Sequence, residues 1–348
     1  MYELDFLPVE SEDGGGTKSG DAIAGRFWLP DGSPRTLVVD AGYSAIGEDI
    51  VDHIRSFYGT ERVDLVVSTH PDADHLNGLL HVLEDMDVGE LLVHQPRNHL
   101  APDEVKFFSN IEKVDAVIKA AVSRGVTVTE PFVGLTRWDG LFRILGPSIG
   151  YYETLIAQHV TAERTGTADK IRAAKALTAA LAKGSDLLHR VLDYLPIETL
   201  EENPETSSRN NTSTVIFVSD AQNRILLTGD AGVPALSRAA DEYERLIGSF
   251  RTTSLDVLQV PHHGSRHNMS PSLLDRVVGP KGSASNVQAI ISSAKASSKH
   301  PSPKVTNALL RRGAHVVATE GRTICSQEGL SRAGWTPAPC VEPLDEVG

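Results

Sequence analysis

The sequence predicts a layered α/β fold, because short buried-type strands alternate with amphipathic helices along most of its 348 residues. Segments such as VDLVVST and RILLTG have the length and composition of buried strands. NIEKVDAVIKAAVSRG has helical spacing of its apolar residues and a terminal glycine. Residues 1–149 and 206–328 are therefore predicted to be two halves of one fold.

A segment between these halves interrupts the pattern. Residues 150–205 contain alanine- and leucine-rich helices followed by a polar, acidic loop, and we interpret them as an insertion. Amphipathic helices usually pack against other parts of a protein, so a surface cap or a homodimer contact is expected, with a lid over a site as the alternative. Residues 329–348 are predicted to be a polar, weakly ordered tail.

Bulk composition limits the class of protein. The net charge of −13 gives no sign of a basic face for tight, nonspecific DNA binding. Cys325 and Cys340 form neither a disulfide framework nor a CxxC metal site. Neither a signal-peptide pattern nor a membrane-length apolar run is visible, so a cytoplasmic protein without membrane association is expected.

Ionisable side chains follow four of the predicted strands. Asp40 ends RTLVVD, His70 follows VDLVVST, Asp230 follows RILLTG, and His262 and His263 follow LDVLQVP. Ligands and catalytic groups collect at strand ends of layered α/β folds. The four positions together predict one shared site.

The stretch THPDADH concentrates metal-competent side chains. His70, Asp72 and Asp74 alternate in an extended loop and can converge, and His75 opens the next helix. Such groups repel each other and lose hydration unless a divalent cation binds them. Two ions about 3.5–4 Å apart activate a bridging water, and the sets would be completed by Asp230, His263 and a group near Asn210. The structural alternatives are a helix start capped by Asp74 and a simple turn at HHGS.

Seven motifs occur in an order that resembles the metallo-β-lactamase superfamily, and most closely the hydrolase domain of competence DNA-uptake channel proteins. They are SGDAI, LVVDAG, THPDADHLNG, NNTSTVIF, ILLTGDA, VPHHGS and KHPSP. The channel part of those proteins is absent, so the chain looks like a stand-alone relative. The resemblance implies a four-layer αβ/βα sandwich with two divalent metal ions at its edge.

The resemblance also implies a ligand set. The first ion would be bound by His70 and Asp72, the second by Asp74 and His75, with Asp230 bridging and either His262 or His263 completing the second set. Asp40 would orient the metal loop. Asp72 stands where most members have a histidine, and the middle histidine motif is replaced near Asn210 or Asn211. Zn²⁺ is the first expectation, with Mn²⁺ or Mg²⁺ as alternatives.

Further polar residues are candidates for substrate contact. His300, in KHPSP, is predicted to contact the substrate or transfer a proton, and Ser265 to contact an anion. Lys295 is more simply explained as a surface residue, and His94 and His99 as satisfied surface histidines.

The predicted activity is hydrolysis by a metal-bridging hydroxide, with Asp74 or Asp230 orienting it or accepting its proton. Phosphodiester bonds are favoured, in nucleic acid, an oligonucleotide or a small phosphodiester. The alternatives are an acyl or ester hydrolase, such as a lactonase, thioesterase or β-lactamase-like enzyme, and a non-catalytic metal-binding scaffold.

Overall fold

The structure is a computed structural model that describes residues 1–11, 15–166, 198–220 and 222–346. The strands of this part form two mixed sheets of seven strands each. No helix within these ranges combines the length and the apolar character needed to cross a membrane.

The first sheet has the order β14-β1-β2-β3-β4-β5-β6. Its strands are β1 (Tyr2–Phe6), β2 (Ala22–Trp28), β3 (Pro34–Ala41), β4 (Arg62–Val67), β5 (Asp87–Leu92), β6 (Thr127–Thr129) and β14 (Ile324–Glu328). The strands β3 to β6 run parallel, so their carboxyl ends share one edge.

The second sheet has the order β13-β12-β11-β10-β9-β8-β7. Its strands are β7 (Thr136–Arg137), β8 (Phe142–Gly146), β9 (Val215–Ser219), β10 (Arg224–Leu227), β11 (Val257–Gln259), β12 (Gln288–Ile291) and β13 (His315–Ala318). The strands β7 and β8 precede residue 149, and β14 returns to the first sheet. Each predicted half therefore contributes strands to both sheets.

Helices cover the outer face of each sheet. The first sheet carries α1 (Ser44–His53), α2 (Ala73–Leu76), α3 (Leu79–Asp85) and α4 (Ile111–Ser123). The second sheet carries α6 (Val233–Leu246), α7 (Pro271–Val277) and α8 (Pro303–Leu310). The helix α5 (Ile149–Arg164) lies between these two groups in chain order, and it packs Tyr152 and Ile156 against Phe108 and Ile111.

Alternation along the strands produces the layers. In β3, Leu37 and Val39 join the core between the two sheets, whereas Val38 joins the core beneath the helices. Successive strand residues point to opposite faces, so a strand buried on both sides must be apolar throughout. The result is a helix–sheet–sheet–helix sandwich, as the sequence predicted.

Two expectations about the remaining segments have different outcomes. Residues 167–197, most of the predicted insertion, lie outside the described residues, and its assignment as cap, lid or dimer contact stays a prediction. The tail is not a loose segment over its described part. The Arg332 guanidinium bonds to Glu3 and Asp5 at 2.6 Å each, and Val341 donates its N–H to Val316 at 2.8 Å.

The two sheets meet at the edge where the predicted site residues lie. Thr214, just before β9, donates its N–H to the carbonyl of Thr69, just after β4, at 2.9 Å. Gly229 has φ of +50°, and a Cβ on it would lie 2.9 Å from the Thr69 side chain. This close approach brings the loops after β4 and β10 together.

Candidate metal centre

Within the described ranges, four buried side chains from four separate segments form a compact cluster of possible metal ligands. Asp21, His75, Asp230 and His263 each offer one ligand atom, and these atoms lie within 4.8 Å of one another. Three of them were predicted as ligands, and Asp21 was not. The strand ends of both sheets therefore do meet in one site.

Asp40 fixes the orientation of His75. It has φ of +54° at the end of β3 and accepts hydrogen bonds from the Thr69 N–H at 2.8 Å and the Thr69 hydroxyl at 2.6 Å. His75 Nδ1 lies 2.7 Å from the same carboxylate, and its Nε2 lies 3.3 Å from Asp230 Oδ1. Burial would lower the pKa of His75, but Asp230 and Asp40 raise it well above its usual value, so Nδ1 donates to Asp40 and a metal would bind at Nε2 in place of a proton.

Asp230 is the centre of the cluster. Its Oδ2 lies 3.6 Å from His70 Nε2 and 3.5 Å from His262 Nε2, and its Oδ1 lies 3.9 Å from His263 Nε2. Burial would raise the pKa of Asp230, but the surrounding imidazoles outweigh it and hold the pKa well below the usual range. Asp230 is therefore a carboxylate.

His262 and His263 lie in a left-handed turn. Their φ values are +49° and +56°, a conformation that is uncommon for residues with a side chain. Burial would lower the pKa of His263, but the carboxylates of Asp74, Asp230 and Asp21 raise it to about 8. The alternative interpretation of HHGS as a turn is thus correct for the backbone, yet both rings face the cluster.

Asp21 was missed from the sequence, although it lies in the quoted motif SGDAI. It is buried, and neither of its carboxylate oxygens has a hydrogen-bond partner. Burial is the main cause of its raised pKa. The adjacent Gly20 has no room for a side chain, because a Cβ would lie 2.3 Å from the Asp74 carbonyl oxygen. The available signal in the sequence was an acidic residue that follows a glycine and lies directly before a strand.

The unpartnered atoms test whether a cation fits. Besides Asp21, buried atoms without a hydrogen-bond partner include His75 Nε2, His263 Nε2 and Asp230 Oδ1. Leaving such a group unpaired costs about 1–3 kcal/mol each. A divalent cation bound by two carboxylates and two imidazoles would partner all four residues, so the residues present fit a metal ion.

His70 and Asp72, the residues predicted to bind the first ion, lie outside the cluster of four possible ligands. His70 Nε2 lies 3.6 Å from Asp72 Oδ2. Asp72 is also paired with Arg209, whose Nε lies 2.7 Å from Oδ1 and whose Nη2 donates to Oδ2 at 3.1 Å. Asp72, rather than Asp74, is the N-cap position of α2, and it makes no side-chain cap hydrogen bond. Arg209 was missed from the sequence.

Asp74 and His300 lie at the mouth of the cluster. Asp74 Oδ2 lies 3.8 Å from His263 Nε2. The His300 ring centroid lies 5.7 Å from that of His262 and 6.2 Å from that of His263. Burial lowers the pKa of His300 to about 3, so the imidazole is neutral at ordinary pH.

Asn210 contacts the cluster as a donor. Its Nδ2 donates to Asp230 Oδ2 at 3.1 Å, while its Oδ1 accepts a hydrogen bond from the Ser207 hydroxyl. Asn210 therefore orients Asp230.

Ser265 is buried, and its hydroxyl accepts a hydrogen bond from the His267 N–H at 3.2 Å, so Ser265 orders the loop after His263.

The remaining candidates lie elsewhere. His94 stacks on Tyr152 with ring centroids 4.4 Å apart, and His99 lies between Glu130 and Glu153 at 3.1 Å from each. Lys295 donates its backbone N–H to Glu10. These contacts agree with the structural interpretation of His94, His99 and Lys295, although His94 is buried rather than exposed.

A cleft of about 430 Å³ opens onto the cluster. Its walls combine acids and imidazoles with three cationic side chains. The charged and imidazole residues that line it are Lys18, Asp72, Asp74, Arg209, His262, His263, Lys299 and His300.

One part of the chain matches a known protein family. Residues 28–152 match the family model of the metallo-β-lactamase superfamily. This match covers part of the first half of the two-sheet sandwich described above, so this part of the chain is similar to that superfamily.

Curated relatives are similar to parts of the chain. An uncharacterized protein, YcaI of Escherichia coli, is 41% identical over 76 residues, which cover 22% of this chain and 9% of that protein. ComE operon protein 3 of Bacillus subtilis is 23% identical over 293 residues, covering 83% of this chain and 28% of that protein. The chain thus spans no more than 28% of the length of either relative.

Solved structures with similar folds have low sequence identity. The metallo-β-lactamase fold protein YhfI of Bacillus subtilis is 8% identical with a TM-score of 0.43, covering 93% of this chain and 99% of that one. A long form RNase Z from yeast is 13% identical with a TM-score of 0.39, covering 99% of this chain and 40% of that one.

Proposed function

We propose that this protein hydrolyses phosphodiester bonds at a metal centre held by Asp21, His75, Asp230 and His263. The single observation that carries this proposal is the cleft, in which a buried acid–imidazole cluster lies behind a rim of cationic side chains. The substrates we expect are short oligonucleotides or small phosphodiesters.

The rim favours an anionic substrate. Lys18 precedes β2 of the first sheet, Lys299 follows β12 of the second, and Arg209 precedes β9. Three cations from separate segments line one cleft in a chain whose net charge is −13. Local positive charge attracts and orients anions even when the whole molecule is acidic. A neutral ester or thioester would gain little from these cations.

The donor set fits the metals already expected. Two carboxylates and two imidazoles suit Zn²⁺ first, with Mn²⁺ or Mg²⁺ as alternatives. When bound, such an ion lowers the pKa of a coordinated water and polarises the bond under attack. A second ion of the predicted pair would need His70 and Asp72 together with Asp230.

Other side chains near the metal centre can orient water, contact the substrate and hold a ligand in place. The pKa of Asp74 is held below its usual range, because burial is outweighed by His263 and His75, so Asp74 is a carboxylate that can orient a water or accept its proton. Neutral His300 can donate one hydrogen bond to a leaving or non-bridging oxygen. Asn210 holds Asp230 in place from the other side.

The test is hydrolysis of bis-p-nitrophenyl phosphate by protein reconstituted with Zn²⁺, Mn²⁺ or Mg²⁺, with EDTA as the metal-free control. We expect turnover with at least one metal and loss of turnover in Asp230→Asn. Asp220→Asn is a matched control, because Asp220 lies after β9 and binds the N–H groups of its own turn.

The other outcomes identify the alternatives. Turnover of p-nitrophenyl acetate or a thioester without diester turnover would identify an acyl hydrolase. Bound metal with turnover of neither substrate would identify a metal-binding scaffold. Either result would overturn the phosphodiesterase proposal.

A further inference from the structure

Arg209 holds both oxygens of Asp72, a residue predicted to bind the first metal ion. Its Nε lies 2.7 Å from Oδ1, and its Nη2 donates to Oδ2 at 3.1 Å. The Asp72 side chain is only 17% exposed, so the pair is shielded from water. The Nη2 contact is a charge-assisted hydrogen bond, a stronger kind than a bond between neutral groups, and the Nε contact is an ion pair without hydrogen-bond geometry.

The other ligands expected at the first ion are also incomplete. Asn210 occupies the approximate place of the middle histidine motif, but it directs an N–H at Asp230, and its carbonyl oxygen is used by Ser207. An N–H donor cannot bind a cation. His70 Nε2 has no hydrogen-bond partner, and it lies 3.6 Å from both Asp72 Oδ2, which Arg209 holds, and Asp230 Oδ2, which Asn210 holds.

The count of ligands therefore supports one ion rather than two. Across the described ranges, a single group of acids and histidines is compact enough to hold a metal, and it contains neither His70 nor Asp72. A metal ion in a protein usually takes at least three protein ligands. The residues at the first position do not fit an ion.

We propose that this centre holds one metal ion, and that the Arg209 guanidinium supplies at the first position the positive charge that a second ion would otherwise bring. This inference rests on the proposed phosphodiesterase function. A guanidinium brings a positive charge to this position without any bound ion, and Asp72 holds the Arg209 group in one orientation.

Arg209 keeps the capacity to bind substrate while it is held. A guanidinium has five N–H donors, and the hydrogen bond to Asp72 uses one of them, while Nε makes a second close contact with the same carboxylate. The side chain lines the cleft and is 27% exposed. The remaining donors can contact a non-bridging phosphate oxygen, with a geometry that a lysine cannot reproduce.

The experiment measures metal stoichiometry, independently of activity. Purified apoprotein is dialysed to equilibrium against Mn²⁺ or Zn²⁺, and metal per chain is measured by plasma mass spectrometry. We expect one ion per chain in the wild type. In Arg209→Ala and in the closer-sized Arg209→Gln, Asp72 is released, and the count should rise to two.

Lys299→Ala is the matched control, because Lys299 lines the same cleft but is not paired with Asp72. Its count should stay at one, and circular dichroism should show that all variants are folded. Two ions in the wild type, or one ion in both Arg209 variants, would overturn this inference while leaving the phosphodiesterase proposal intact. A wild-type chain that binds no ion would overturn the metal centre itself, and this inference with it.

Discussion

Asp40 Oδ2 lies 2.7 Å from His75 Nδ1, and this contact leaves His75 Nε2 facing Asp230. Asp40 is itself held by the Thr69 N–H and hydroxyl. The pair therefore connects the end of β3, the loop after β4 and the metal cluster. It determines which ring nitrogen of His75 is free to bind a cation.

We predict that Asp40→Asn weakens metal binding about 10- to 100-fold. Asparagine tolerates the positive φ, but its amide would face Nδ1 with an N–H and favour the wrong tautomer of His75. Competition with a chromogenic chelator measures the change in Kd. Asp64→Asn is the control, because Asp64 likewise accepts a strand N–H, from Thr36, outside the cluster. Equal Kd values for wild type and Asp40→Asn would contradict this role.

Asp21→Asn should stabilise the metal-free protein, by on the order of 1 kcal/mol, because it removes a buried carboxylate that accepts no hydrogen bond. The same change should reduce the stabilisation that metal provides, since a ligand is lost. Thermal melts with EDTA and with saturating Mn²⁺ measure both effects. A metal-free variant that melts below the wild type would show that Asp21 has a structural role instead.

His300→Ala should lower kcat for bis-p-nitrophenyl phosphate by about 10²- to 10³-fold, the range for removing one hydrogen-bond donor to an oxygen that gains negative charge. Metal content should not change, because His300 contacts the cluster only through the rings of His262 and His263. Steady-state kinetics and metal analysis on the same sample separate the two effects. His315→Ala, at an exposed position on β13, serves as the control.

Asp5 predicts an acid-dependent stability that is unrelated to the active site. It is fully buried, accepts from Tyr58 at 2.7 Å, and pairs with Arg332 at 2.6 Å and with His53 at 3.0 Å. Burial would raise its pKa, but His53 and Arg332 outweigh it, so the folded pKa is lowered. Because the folded value is below the unfolded one, the stabilisation is complete above about pH 4 and is lost as pH falls through the folded pKa.

Asp5→Asn should therefore cost about 3–5 kcal/mol at pH 7, the usual result of removing one partner of a buried ion pair. The difference from the wild type should shrink as the pH falls below about 4, where the carboxyl of the unfolded wild type takes up a proton, and continue to shrink down to the lower folded pKa. Urea unfolding at pH 7 and pH 3 measures both values. A difference that stays constant over this range would refute the assignment.

Much of the fold was predictable because strand and helix periodicity are local properties of the chain. The apolar run of β4 and the helical spacing of α4 are visible in sequence, and both elements form as expected. The return of β14 from the second half of the chain to the first sheet was not predictable. β14 pairs with β1, whose residues lie more than 300 positions away, and no local pattern reports such a pairing.

The site divides in the same way. The sequence by itself determined which strands end in acids and imidazoles, because strand termini and metal-competent residue types can be read locally. Only the tertiary structure decided that Asp21 joins His75, Asp230 and His263, and that Arg209 holds Asp72. These are contacts between segments far apart in the chain, fixed by how the two sheets pack. Which polar groups share a buried space depends on that packing.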